Sequence, residues 1–561
     1  MQIHSSKTIQ IVISMFLLMV GCTPYSDGLK TPEDLVQQTT TVEIKTSSTS
    51  KATLIKQDEP LSVWISPTLP QEVKQEIKVV KPNLTITNRQ DADISIGINN
   101  DPADELVKAA EIEWIYALVT PFPTNVDSVS LSALRQAWRG NAKGKFERKP
   151  LMLSKETLTI FEQMWGKPGK NAVSIFPDDE ILDTAWDNQP AWAIIPFSNL
   201  KPRWKVIRIN GKSPLDDSLE KYPLSAHFSV AVRENIMDYQ SLPARGINIP
   251  VTNRDREKLT ILIMTGTTAL VRHTALRMEE EGVTYPGSDI RDWLREADLT
   301  HISNEVSFWS KCPPANPLRL EMRFCSDPKY LELLNDVGMD FVELTGNHLQ
   351  DWGNEPLLET LDIYRENNIP YYGGGRDLKE AQEPLKIEHH GNKLVFLGCN
   401  AAGPKDYWAT DKQPGPAPCE LDEMIEKIIQ LKAEGYIPIV TFQHIEVEDY
   451  KPHSAQRVDF NRVAAEAKPA IVSGSQSHSP QAMTIIGDTF VHYGLGNLFF
   501  DQMNEYNRRE FIDRHYFYEG KYIGTELLTA MLEDYSRPRP MKADEHYYFM
   551  EEIFKACVWE D

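Results

Sequence analysis

The chain has no apolar run long enough for a stable membrane-spanning helix. Its most apolar stretch, Ile9 to Val20, is broken by Gln10 and Ser14 and ends at Gly21-Cys22. It also has no surplus of positive charge: 59 Lys and Arg face 81 Asp and Glu, a formal net charge of −22. Non-specific binding to DNA, RNA or an anionic lipid surface is therefore disfavoured, and no nucleic-acid partner is expected. Cysteine is scarce, and no Cys-x-x-Cys occurs, which leaves zinc-ribbon and thioredoxin-like readings without support. Glycine-rich phosphate loops are missing too. Gly373-Gly374-Gly375-Arg376 is the densest glycine run, and it reads as a turn rather than a nucleotide loop.

What is present is a long chain of ordinary globular composition. Its 561 residues exceed what one core organises, so two or three domains are expected. At the N-terminus Lys7 precedes the apolar run, and Leu18-Met19-Val20-Gly21-Cys22 closes it. This resembles a bacterial lipobox, with Met19 where Leu is more usual. The resemblance implies a signal peptide over 1–21, a lipid on Cys22, and a lipoprotein anchored to the membrane outside the cytoplasm, on the cell surface. Residues 22–58 carry Thr39-Thr40-Thr41 and Thr46-Ser47-Ser48-Thr49-Ser50 and few large apolar groups, the composition of a disordered tether. Export permits disulfides among the other five cysteines. Cys312 and Cys325 flank a Pro-rich loop and are the first pair to test, and Cys399 with Cys419 is the second. An odd count leaves at least one thiol free or paired between chains.

From Leu61 strands and helices alternate, which predicts an α/β fold. Leu61–Ile65, Ala92–Ile98 and Ile115–Pro121 read as strands, and Leu131 to Arg139 as an amphipathic helix stopped by Gly140. Tyr116-Ala117-Leu118-Val119 through Thr124-Asn125, then Trp138-Arg139-Gly140, resembles phosphate-type periplasmic solute-binding proteins. Ala191–Phe197 and Tyr222-Pro223-Leu224 fit the same pattern. A solute-binding-like α/β domain over 59–240 is expected, with an anionic or polymer ligand as one implied partner and a structural or docking role as the other reading. Pro243, Pro250 and a cluster of charges mark the boundary, 240–258.

In the second part, polar groups recur just after predicted strands. Glu305 follows Leu299–Asn304, Asn347-His348 follows Phe341–Leu344, His444 follows Ile437–Phe442, and Gln476 with His478 follows Ala470–Gly474. Strand ends along one edge of an open sheet lie close in space, where carboxylate, amide oxygen and imidazole are all metal-ligating types. Gly346-Asn347-His348 with Asp351 and Gly353, Glu305, His444 with Glu448, Gly474 with His478, and Gly496-Asn497-Leu498-Phe499 occur in the order of the CapA family of capsule and poly-γ-glutamate biosynthesis proteins.

That resemblance implies a metallophosphoesterase-like α/β sandwich over 258–505, with 506–561 as a C-terminal extension packed on it. It further implies His348 as proton donor or oxyanion partner, Asp351 beside it, and Glu305, Asn347, His444, Gln476 and His478 around a divalent metal (Mn, Fe or Zn). Two positions depart from the pattern. Thr267 stands where the family has Asp, and Gln476 stands where it has His, so the metal site is expected to be degenerate. The implied function is assistance to the synthesis, export or anchoring of a surface polymer, in a polymer-synthesis complex, with metal-dependent hydrolysis or transfer as one chemistry. A non-catalytic binding or scaffold lipoprotein is the alternative.

Overall fold

The computed structural model describes residues 59–98, 106–233, 239–318 and 321–559. The expected signal peptide, the whole tether and Cys22 lie outside the described residues. Among those described, no helix is long and apolar enough to cross a membrane.

The first sheet has nine strands, and its long member is Leu106–Pro121. The end of that strand, Trp114 to Pro121, is buried throughout. It holds β-branched and aromatic residues that fit a pleated, covered surface. Ser225–Arg233 pairs with it on one side and Trp192–Pro196 on the other, both antiparallel. Helices Leu131–Trp138 and Lys155–Trp165 start where Ser130 and Ser154 accept from the amides of Ala133 and Thr157 at 3.1 and 3.2 Å. Each hydroxyl satisfies one of the donors that a helix start leaves over.

The second region is a sandwich of two sheets. One runs in the order Tyr371–Tyr372, Phe341–Glu343, Leu299–Asn304, Leu259–Thr265, Arg509–Tyr518, Lys521–Glu533, Arg537–Pro540. The other runs Leu385–His389, Asn392–Asn400, Ile437–Gln443, Ile471–Ser475, Thr489–His492, Met483–Ile486. Leu259–Thr265, Leu299–Asn304 and Phe341–Glu343 are mutually parallel, as are Asn392–Asn400, Ile437–Gln443 and Ile471–Ser475. Their C-terminal ends therefore lie at common edges, the arrangement that makes a crevice.

Residues after 505 are woven into this sandwich. Arg509–Tyr518 is the antiparallel neighbour of Leu259–Thr265 through seven register pairs and sits inside the sheet. The apolar core of the first sheet continues through Leu259, Ile261, Tyr516, Tyr518 and Ile523 of the second. Asn253 clamps the junction, accepting from the Ile115 amide at 2.8 Å and donating to its carbonyl at 3.0 Å. Disulfides join Cys312 to Cys325 and Cys399 to Cys419, and Cys557 is a free thiol.

Candidate functional site

The ends of the parallel strands meet as their topology dictates. Glu305 follows its strand and its amide donates to the Thr268 carbonyl at 3.0 Å. Gly346 lies so close that a Cβ there would sit 2.4 Å from the Glu305 carbonyl oxygen. Only glycine lets the loop carrying Asn347 and His348 approach Glu305 this tightly. Gln476 takes a left-handed conformation, φ +78°, at the turn after Ile471–Ser475.

At the centre is a residue that the sequence reading passed over, Gln443. Its Nε2 donates toward Glu305 Oε1 at 3.1 Å and Asn347 Oδ1 at 3.2 Å, and contacts Gln476 Oε1. Its own Oε1 accepts from the Ser475 hydroxyl at 2.7 Å. Glu305, Gln443 and Gln476 are all buried.

His444, expected as a ligand, is not brought to this cluster. Its Nε2 lies 3.0 Å from Asp459 Oδ2 and its Nδ1 accepts from the Ile445 amide at 2.9 Å, so both ring nitrogens are engaged elsewhere. Burial pushes the imidazole down, against the opposing pull of Asp459. The physical reason is strand alternation. Successive side chains leave opposite faces, so Gln443 faces the crevice while His444 turns to Phe460 and the Ser454–Glu466 helix. One polar residue earlier at the same strand end was the available signal.

Beside the cluster, His348 Nδ1 meets Asp351 Oδ2 at 2.7 Å, and the same carboxylate oxygen accepts from the Phe324 amide at 2.7 Å. Burial alone would lower the imidazole. The Asp351 hydrogen bond and the charges of Glu305 and Asp351 outweigh it, with Arg272 opposing, and His348 titrates above its ordinary value. Its Nε2 makes no hydrogen bond among the described residues and is the group left for a ligand.

Arg272, also unread in the sequence, lies over Phe324 and Phe500 at 5.3 and 4.8 Å and is ion-paired with Asp501. His478 Nδ1 pairs with Asn497 Oδ1 at 2.8 Å, and its ring packs on Phe500. Thr267 pairs in register with Ser303 and Asn497, and its buried hydroxyl has no hydrogen-bond partner among the described residues.

A second layer lies beneath. Buried Glu343 accepts from Thr345 Oγ1 at 2.5 Å, with Ser475 Oγ at 3.2 Å and His301 Nε2 at 3.3 Å beside it. Burial would raise this carboxyl, yet His301 and the hydroxyls bring it below its usual range. Ser475 thus links Glu343 to Gln443.

The residues do not make up a complete divalent-metal site. The carboxylate expected at the first strand end is the Thr267 hydroxyl, His444 offers no free nitrogen to the cluster, and an amide N–H group fills the space among the three oxygens. A separate grouping, Asp298 with His389 and His390, brings ligand-type atoms within 4.8 Å of one another at the opposite ends of the strands. Arg256 is paired with Asp298 there at 2.7 Å.

In the first domain, the start of the Lys155–Trp165 helix is a natural place for an anion. Ser154 caps that helix itself, and the carboxyls of Glu72 and Asp178 nearby are both raised, first by burial and then by neighbouring acids.

Residues 261–502 match the family model described as bacterial capsule synthesis protein PGA_cap. The chain is 23% identical over 268 residues to a capsule biosynthesis protein CapA of Bacillus anthracis, covering 45% of this chain and 62% of that one. It is 24% identical over 183 residues to a PGA biosynthesis protein CapA of Bacillus subtilis (strain 168), covering 32% and 48%. The matches thus span less than two thirds of these relatives' own length. Among solved structures, an ABC-type phosphate transport receptor from Vibrio cholerae is similar at TM-score 0.27 and 12% identity, over 33% of this chain and 91% of that one. A Haemophilus influenzae NAD nucleotidase is similar at TM-score 0.32 and 10% identity, over 54% and 58%.

Proposed function

We propose, from residues 261–502 being a domain of the bacterial capsule synthesis (CapA) family, that this chain assists the synthesis, export or anchoring of a surface polymer such as capsule or poly-γ-glutamate. The observation that carries a role for the crevice is the His348–Asp351 pair. Asp351 accepts a hydrogen bond from the Nδ1 proton and fixes the ring, and the raised imidazole keeps its charge further up the pH scale. Nε2 then presents a proton to an anionic or acyl oxygen, with the Arg272 guanidinium close by. The N-terminal sequence supports a lipoprotein held outside the cytoplasm through Cys22, with the polymer-synthesis machinery as partner.

His348→Ala in the producing organism is expected to remove most of the surface polymer while the chain stays at its normal level. Unchanged polymer would remove His348 from the function. Cys22→Ser should move the chain from the membrane to the soluble fraction, and continued membrane retention would contradict lipid anchoring.

A second reading, hydrolysis or transfer at a divalent ion such as Mn, Fe or Zn, has one observation in its favour. The oxygens of Glu305, Asn347 and Gln476 converge on the place held by Gln443 Nε2, which an ion would have to displace, and His478 keeps Nε2 free of hydrogen bonds among the described residues. Retained turnover of phosphoesters in the presence of a chelator would dismiss it.

A further inference from the structure

We propose that the side-chain amide of Gln443 stands where a divalent cation would sit among Glu305, Asn347 and Gln476, so that this centre is built to work without a metal. The inference is independent of which polymer the chain serves. It rests on what surrounds Gln443 Nε2: a carboxylate oxygen at 3.1 Å, an amide oxygen at 3.2 Å and a second amide oxygen in contact. Three acceptors turned toward one point are what a small cation gathers. Here the point is occupied by the positive end of an amide dipole.

The orientation of that amide is determined by its partners. Glu305 Oε1 is an acceptor when ionised, so the group facing it must be the NH2 end. The other end is held from behind, where the Ser475 hydroxyl donates to Gln443 Oε1 at 2.7 Å. Rotating the amide to offer its oxygen would set that oxygen against the Glu305 carboxylate in a buried place, a repulsion that a cation between them would relieve. The amide has two protons for three oxygens, so it is a weaker hub than an ion, but it needs no loading.

Other features agree. His444, the nearest imidazole in sequence, is committed to Asp459 and to the Ile445 amide. The Thr267 hydroxyl, at the strand end where a second carboxylate would add charge, is buried and has no hydrogen-bond partner among the described residues. A centre that had kept its ion would gain from a carboxylate at that position. One holding a neutral amide would suffer repulsion between that carboxylate and Glu305.

The test compares the full-length chain with its Gln443→His and Gln443→Ala variants. Each is equilibrated with Mn2+ or Zn2+ alone, then analysed for bound metal and for its thermal midpoint with and without the ion. The chain itself is expected to hold no stoichiometric ion at this centre and to keep its midpoint. Gln443→His should take up about one ion per chain, lose it on further change of Asn347→Ala, and gain thermal stability from it. Gln443→Ala adds no ligand but frees the three oxygens. Its midpoint should rise with Mn2+ where the parent's does not, which keeps the test decisive if Gln443→His folds poorly. An ion on the parent chain that Asn347→Ala removes and His389→Ala leaves in place overturns the proposal. So does a flat metal response in both Gln443 variants.

Discussion

The interiors of the two regions are made of different material. Beneath the first sheet lie Trp114, Trp138, Tyr116, Phe161 and Phe197, all buried, with Tyr116 edge to face on Phe161 at 5.2 Å between centroids. The sandwich of the second region buries Glu305, Glu343, Glu510, Asp513, His301, His492 and His515. Glu510 has no partner for either carboxylate oxygen among the described residues, and burial pushes it well above its usual range. His492 and Asp513 pair at 2.6 Å with both side chains out of solvent. Buried ionisable groups destabilise unless matched, and proteins retain them mainly where a site needs them. The first region is thus organised for packing, and the second accepts electrostatic stress around its strand-end cluster. The apolar core they share at Leu259, Tyr516 and Tyr518 joins the two regions.

The comparison breaks most visibly by removing its apolar side. Trp138→Ala is expected to lower stability by about 3–5 kcal/mol in denaturant titration, because a fully buried indole leaves a cavity. A loss within ordinary surface variation would mean that the first region does not depend on its aromatic interior.

Next comes acid. Burial first, with His492 and His301 adding and Asp513 opposing, lowers His515 from 6.5 to about 4. Its folded value lies below its unfolded one, so the unfolded chain takes up the proton first as pH falls. The contribution is complete above pH 6.5 and is lost as pH drops toward 4, which amounts to roughly 3 kcal/mol. His515→Gln should flatten that part of the stability–pH curve, and an unchanged slope would assign the loss to other groups.

A smaller effect is expected at the site itself. Asp351→Asn should cost about 1–2 kcal/mol, since the amide of Phe324 keeps an acceptor while the His348 bond loses its charge. The His348 titration, followed by NMR, should move down. A shift upward would contradict the pairing.

Much of this was legible in the sequence, and the limits have a common cause. The alternation of strands and helices, the polar residues at strand ends, and the placement of Glu305, Asn347, His348 and Gln476 near one another follow from local pattern and parallel topology. Long-range register does not. Whether His444 or Gln443 faces the crevice turns on a one-residue phase that periodicity leaves open. Glu343 looked like one polar residue in a strand, and its burial appears only once Ser475 and His301 come in from other strands. Arg509–Tyr518 falls in what the sequence suggests is an extension packed on the sandwich, because nothing local shows that one of its edges pairs with Leu259–Thr265. The helices Leu421–Ala433 and Ser454–Glu466 went unread beside the stronger signals of the strands they cover.

The most direct test of the central claim is a crystal structure of the chain grown in millimolar Mn2+, with diffraction recorded at the manganese edge. The account predicts no anomalous peak among Glu305, Asn347 and Gln476, with the Gln443 amide nitrogen in that place and Ser475 bonded to its oxygen. A peak there, with Gln443 displaced or turned to offer its oxygen, would contradict it.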